Sequence, residues 1–221
     1  MDWRFNTIWF EQLNSSKLFK MDYKKNVVPE NIFETSEYAI LWHYKYKELA
    51  FDNLSSTNSL LYLEMNWANI KDFQKIEKLS NLKRLELHYC TKLETDKGLS
   101  SLKDTLEILH INQSRKFVPT DELDQLKSLK ILCLNSCGSI ESLDFLYNFP
   151  NLIDFRFVNT NVLNGDLSPI LKHPTIRTVG FLNKQHYNYR DEEIDEVLRL
   201  KSNKEYKEFV YKEEYQTFKY L

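Results

Sequence analysis

From residue 60 onward the chain repeats one arrangement of apolar and polar positions, L-x-x-L-x-L, six times. The repeats begin at Leu60 (LLYLEMNWANI), Leu82 (LKRLELHYCTKL), Leu106 (LEILHINQSRKF), Leu129 (LKILCLNSCGSI), Leu152 (LIDFRFVNTNVL) and Ile176 (IRTVGFLNKQHY), so successive starts lie 22, 24, 23, 23 and 24 residues apart. In each repeat the fourth and sixth positions are apolar: Leu63/Met65, Leu85/Leu87, Leu109/Ile111, Leu132/Leu134, Phe155/Phe157 and Val179/Phe181. Successive side chains of a strand point to opposite sides, so this alternation predicts a short strand with one buried face. Such a strand cannot bury its apolar face alone, and the units are expected to stack into one parallel sheet over a shared core.

The segments between strands predict short helices or turns. KDFQKIEKLSN and TDELDQLKSL space Phe73, Ile76 and Leu79, or Leu123 and Leu126, by one helical turn, and Thr120 before Asp121 and Glu122 reads as a capped helix start. Upstream, YAILWHYKY alternates Ile40, Trp42, Tyr44 and Tyr46, which predicts a degenerate strand ahead of Leu60. Residues 1–37, with Trp3, Phe5, Trp9, Phe10, Phe19 and Phe33, are expected to cap the amino-terminal end of the core. Residues 38–184 form the repeat array of six to seven units, and 185–221 a carboxy-terminal cap and tail. In that last part DEEIDEVLRL puts Ile194, Val197 and Leu198 on one helical stripe, whereas EYKEFVYKEEYQTFKYL fits a strand pair, a helix or a partner-binding arm equally well.

The repeat length and its L-x-x-L-x-L core resemble the leucine-rich-repeat family over rather more than half the chain. The resemblance implies an α/β solenoid: a horseshoe with a concave parallel sheet, short helices or irregular turns on the convex side, and terminal caps. Position nine carries Ala68, Cys90, Ser114, Cys137, Thr160 and Lys184, where that family often uses Asn or Cys to satisfy buried loop backbone. Cys90 and Cys137 are therefore read as structural.

Composition narrows the function classes. Thirty basic and 32 acidic residues give a net charge of −2, so there is no uniform field to attract nucleic acid or anionic lipid. No apolar run reaches the roughly 20 residues of a membrane-spanning helix, and Asp2 and Glu11 disfavour a signal peptide. Three cysteines without C-x-x-C spacing fit a reducing, cytoplasmic setting. The five histidines show no H-E-x-x-H or paired-cysteine spacing, so neither metal nor cofactor is expected.

In a stacked array, positions three, five, seven and eight of each strand face away from the core and form rows about 4.8 Å from strand to strand. Aromatics and arginine collect there in the amino-terminal half, as they do at protein interfaces. Tyr62, Glu64, Trp67, Arg84, Glu86, His88, Tyr89, His110 and Arg156 are the expected partner contacts, and Glu86→Lys is expected to spare folding. Position five alone sets Glu86, His110, Cys133 and Arg156 side by side, a thiol–imidazole–carboxylate row that constitutes a remote enzymatic alternative. A flat sheet spends its backbone amides on strand pairing and offers no oxyanion donors, so a non-enzyme is expected. The principal reading is a protein-binding module, monomeric before binding, with no nucleic-acid or membrane partner. In size and architecture it is similar to bacterial leucine-rich-repeat immunity proteins, which implies a toxin domain as partner. An adaptor or scaffold is the alternative.

Overall fold

The computed structural model describes residues 1–25, 35–45, 47–52, 54–212 and 215–221; Phe33 and Tyr46 lie outside the described residues. The fold is α/β, built on an eight-stranded parallel sheet whose strands follow one another in chain order, an arrangement compatible with a solenoid. The strands are β1 (Leu18–Asp22), β2 (Tyr38–Trp42), β3 (Tyr62–Asn66), β4 (Arg84–His88), β5 (Ile108–Asn112), β6 (Ile131–Asn135), β7 (Asp154–Arg156) and β8 (Thr178–Gly180). Equivalent positions pair directly: Leu63 with Leu85, Leu85 with Leu109, Leu109 with Leu132, Leu132 with Phe155 and Phe155 with Val179. Residues about 23 apart in sequence are thereby lateral neighbours, and all of these but the partly buried Val179 are fully buried in one continuous core.

Two strands precede the repeats. β1 arises within the segment expected to cap the core and forms the sheet edge against β2. In β2 the core takes Ala39 and Leu41, while Ile40 and Trp42, the residues that suggested the strand, project from the other face. The period of two is satisfied with the opposite phase, which a chain with apolar residues on both faces permits.

The connections are tighter than helices. They contain 3-10 turns at Ile76–Lys78, Leu99–Leu102, Leu123–Gln125 and Asp144–Asn148, and α-helix is confined, among the described residues, to α1 (Ser168–Lys172) and α2 (Asp191–Leu200). A repeat of some 23 residues must hold a strand and two reversals, which leaves room for little more than one turn. The turn at Leu123 is not capped by Thr120. The buried Asp96, one repeat earlier, accepts from Thr120 N at 2.9 Å, from Leu123 N at 2.7 Å and from the Thr120 hydroxyl. Glu122 reaches back the other way, accepting from Gly98 N at 2.7 Å and from the Ser100 hydroxyl at 2.9 Å. These two neighbouring segments thus satisfy orphan amides of each other.

Position nine works similarly. Cys90 Sγ lies 3.9 Å from Met65 O, Cys137 Sγ 3.6 Å from Ile111 O, and Thr160 Oγ1 donates to Leu134 O at 2.6 Å, each reaching the sixth position of the preceding repeat. At the carboxy-terminal end α2 packs on β8 and α1, burying Ile194 and Leu198 but leaving Val197 exposed. The tail is a strand pair, β9 (Lys207–Lys212) antiparallel to β10 (Tyr215–Tyr220). No helix among the described residues is long and apolar enough to cross a membrane.

Candidate recognition site on the front face

The face opposite the core, here the front face, carries positions three, five and seven of each strand. It is not uniformly open. Both ends of the chain cross it and pair with each other: Asn6 N donates to Phe218 O at 2.8 Å, Tyr220 N donates to Arg4 O at 3.0 Å, and Phe5 bridges Lys219 in antiparallel fashion. On the amino-terminal side Ile8 packs with Tyr38 and Tyr62, joined by Phe5, Phe10 and Leu18. On the other, Tyr220 packs with Ile108, Ile131 and Cys133, joined by Phe218. Tyr62, Arg84, Ile108, Ile131 and Asp154 of the position-three row are consequently buried, while Thr178 at its end is half-buried.

Two ionic clusters anchor this clasp. Arg84 donates from Nε to Glu86 Oε1 at 2.6 Å, and its Nη atoms donate to the carbonyls of Trp3 (2.9 Å), Asn6 (3.2 Å) and Phe5, while its guanidinium lies 5.4 Å from the centre of the Tyr62 ring. Farther along, buried Asp154 accepts from Arg156 Nη2 at 2.7 Å and from the Tyr220 hydroxyl at 2.5 Å. Burial and the neighbouring Asp154 carboxylate push the Tyr220 phenol far above its ordinary pKa, so it remains a donor.

Position five lies deeper than expected. Glu86 is buried, with Oε2 3.0 Å from His88 Nε2 and 3.8 Å from His110 Nδ1. Burial alone would raise its pKa, but the Arg84 charge and the His88 hydrogen bond outweigh that and hold the carboxyl well below the usual range. His110 is pulled down to about 4, chiefly by burial, with Arg84 and Arg156 adding to the effect and Glu86 opposing it. Cys133 follows His110 in register, and burial pushes its thiol strongly upward. Nucleophilic chemistry needs the thiolate, which this environment disfavours. A cavity of about 350 Å³ lies between sheet and clasp, lined among others by Glu64, Glu86, His110, Cys133, Arg156 and Tyr220. Glu64 there accepts from the Tyr62 hydroxyl at 2.9 Å and from Asn66 Nδ2 at 2.7 Å.

At position eight Trp67, Tyr89 and Asn159 are exposed, whereas His43 and Gln113 are half-buried and Ser136 is buried. His43, Trp67, Tyr89, Gln113, Ser136 and Asn159 all have left-handed backbone, with φ from 52 to 58°. The first five amides each extend the sheet by one bond: His43 N donates to Asn66 O, Trp67 N to His88 O, Tyr89 N to Asn112 O, Gln113 N to Asn135 O and Ser136 N to Val158 O, all at 2.8–3.0 Å. The first three rings stack into a column, with centroids 5.3 Å apart at each step and interplanar angles of 14° and 13°. Trp67 and Tyr89 nevertheless remain 48% and 44% exposed.

Of the nine expected contact residues, then, Trp67 and Tyr89 are exposed. Glu64, His88, His110 and Arg156 are half-buried, and Tyr62, Arg84 and Glu86 are buried beneath the chain's own ends. Sequence reasoning missed Asp154, Tyr220 and His43. The signal for cover was present, because Tyr62, Ile108 and Ile131 in one row are too apolar for a free strand face. Neither a family model nor a curated protein matches the chain.

Proposed function

We propose that this chain is a leucine-rich-repeat solenoid of horseshoe form acting as a non-enzymatic protein-binding module, and that the His43–Trp67–Tyr89 column anchors its partner. The observation that carries this reading is the backbone. A bulky residue at positive φ costs about 1–3 kcal/mol, yet Trp67 and Tyr89 stand there with nearly half their surface in water. Glycine or asparagine would hold the same turn more cheaply. Rigid, pre-stacked aromatics at the rim of a sheet are the side chains that concentrate binding energy, since they lose little freedom on association. Exposed Leu182 and Val158 continue an apolar fringe beyond the carboxy-terminal strands.

The partner class is a toxin domain encoded by an adjacent gene, on the strength of the resemblance to immunity proteins in size and architecture, in a cytoplasmic setting. Co-expression provides the test. The wild-type chain should rescue cells from the adjacent toxin and bind it one to one at nanomolar Kd, while a Trp67→Ala, Tyr89→Ala variant that is folded should bind at least tenfold more weakly. Equal binding by the variant would remove the column from the interface, and failure of rescue by the wild type would remove the toxin.

A further inference from the structure

We propose that Glu86, His88 and His110 form a binding site for a zinc-class transition-metal dication. No linear motif announces it; the sheet assembles it. Positions 86 and 88 lie two apart on β4 and so face the same side, and the register of β4 with β5 sets His110 beside Glu86. One ligand atom from each of the three residues lies within 4.8 Å of the other two, and Glu86 Oε2 is 3.0 Å from His88 Nε2 and 3.8 Å from His110 Nδ1. Ligands about 2.0–2.2 Å from a tetrahedral ion stand roughly 3.3–3.5 Å apart, so small side-chain movements close the set around one ion. Glu86 and His110 also line the front cavity, which leaves the remaining coordination positions accessible to water.

The surroundings select the ion. Arg84 occupies Oε1 of Glu86 and directs Oε2 toward the histidines, and its charge offsets that of the carboxylate. Ions held by charge and oxygen alone, such as magnesium and calcium, gain little here, whereas two imidazoles favour zinc, cobalt, nickel and copper. Asn135 sets the affinity. Its Oδ1 accepts from Val158 N at 2.9 Å, so its Nδ2 faces His110 Nε2 at 3.3 Å and places the imidazole proton on Nδ1, toward Glu86. Binding requires that proton on Nε2, with Asn135 turned away or replaced by an acceptor. Asn135→Asp would keep the bond from Val158 and accept from Nε2–H, the arrangement by which carboxylates orient metal-bound histidines.

The site is independent of the aromatic column, and the test uses the full chain without a partner. Cobalt titrated into the wild type should produce visible absorption of a low-symmetry site at one equivalent, displaced by zinc and unaffected by magnesium or calcium. His88→Ala and His110→Ala should each weaken binding at least tenfold, and Asn135→Asp should tighten it by about 10-fold or more. In the wild type, zinc should shift the ring nitrogen resonances of His88 and His110 and leave those of His43, His173 and His186 in place, a readout that needs no variant to fold. Absence of one-equivalent binding, retention of affinity in both alanine variants, weaker binding by Asn135→Asp, or shifts confined to the other histidines would each overturn the assignment.

Discussion

The hydroxyl of Tyr220, one residue from the end of the sequence, donates to the buried carboxylate of Asp154 on β7 across 2.5 Å. The bond spans 66 residues and fixes the tail on the front face, where Arg156 completes the same cluster. A hydrogen bond to a charged, buried acceptor contributes about 1.5–3 kcal/mol. Tyr220→Phe should therefore lower the unfolding free energy by that order in urea denaturation, because Asp154 loses one donor and keeps Arg156. An unchanged midpoint would show that the tail is not docked.

The core and the column should respond oppositely to substitution. Leu109 is fully buried between Leu85 and Leu132, and Leu109→Ala should cost about 2–5 kcal/mol. Tyr89→Gly removes one stack but relieves a left-handed tyrosine, so its effect on stability should stay within about 1 kcal/mol. Chemical denaturation of the two variants decides whether position eight serves the fold or a partner.

Glu86→Lys, which the alternation of strand residues suggested would spare folding, should instead destabilise. Glu86 is buried against Arg84 and His88, and a lysine there would place a second uncompensated charge beside the guanidinium. Removing one partner of a buried ion pair typically costs about 3–5 kcal/mol. A thermal melt showing no loss would place Glu86 in solvent.

Burial pushes the thiols of Cys90 and Cys137 up to about 12, and that of Cys133 upward as well. At pH 8 the thiolate that reacts with iodoacetamide is scarce in all three, so alkylation of the native chain should be much slower than that of a free thiol. Rates should become normal in denaturant. A fast-reacting Cys133 in the native state would favour the enzymatic reading.

His173 supplies a pH dependence. It is buried, with Nε2 donating to Leu146 O at 3.0 Å and Nδ1 accepting from Thr175 N at 3.3 Å, and Tyr147 stacks on its ring. Burial lowers its pKa below 6.5, aided by the Lys201 ammonium, which is bonded to the carbonyls of Leu171 and His173. As pH falls through about 6.5 the unfolded chain takes up this proton before the folded one, so the contribution is present above that value and is lost progressively below it. His173→Gln should flatten the difference in stability between pH 7 and pH 5; an identical slope would exclude His173 as its source.

The sequence foretold the strands of the repeats and their inward residues because a period of two inside a period of about 23 leaves one way to bury the apolar positions. It did not foretell β1, where LFKMD buries little beyond Met21, nor the phase of β2, where both faces are apolar. The apolar position-three row signalled that something covers it, but which segment does so was not legible: Arg84 meets Trp3, Phe5 and Asn6 through backbone carbonyls, which every residue carries and no side-chain pattern records. Rows of equivalent positions were legible, but what covered each row was decided by long-range docking of the two ends.

That division of the front face, closed over Tyr62 to Asp154 of position three by the chain's own ends and open at Trp67 and Tyr89 of position eight, is tested most directly by oxidative footprinting of the native protein at single-residue resolution. Trp67 and Tyr89 should be modified at the rates of exposed side chains, while Tyr62 and Tyr220 stay near background until the protein unfolds. Modification of Tyr62 and Tyr220 as fast as Trp67 would contradict the account, since the ends would then leave the face bare.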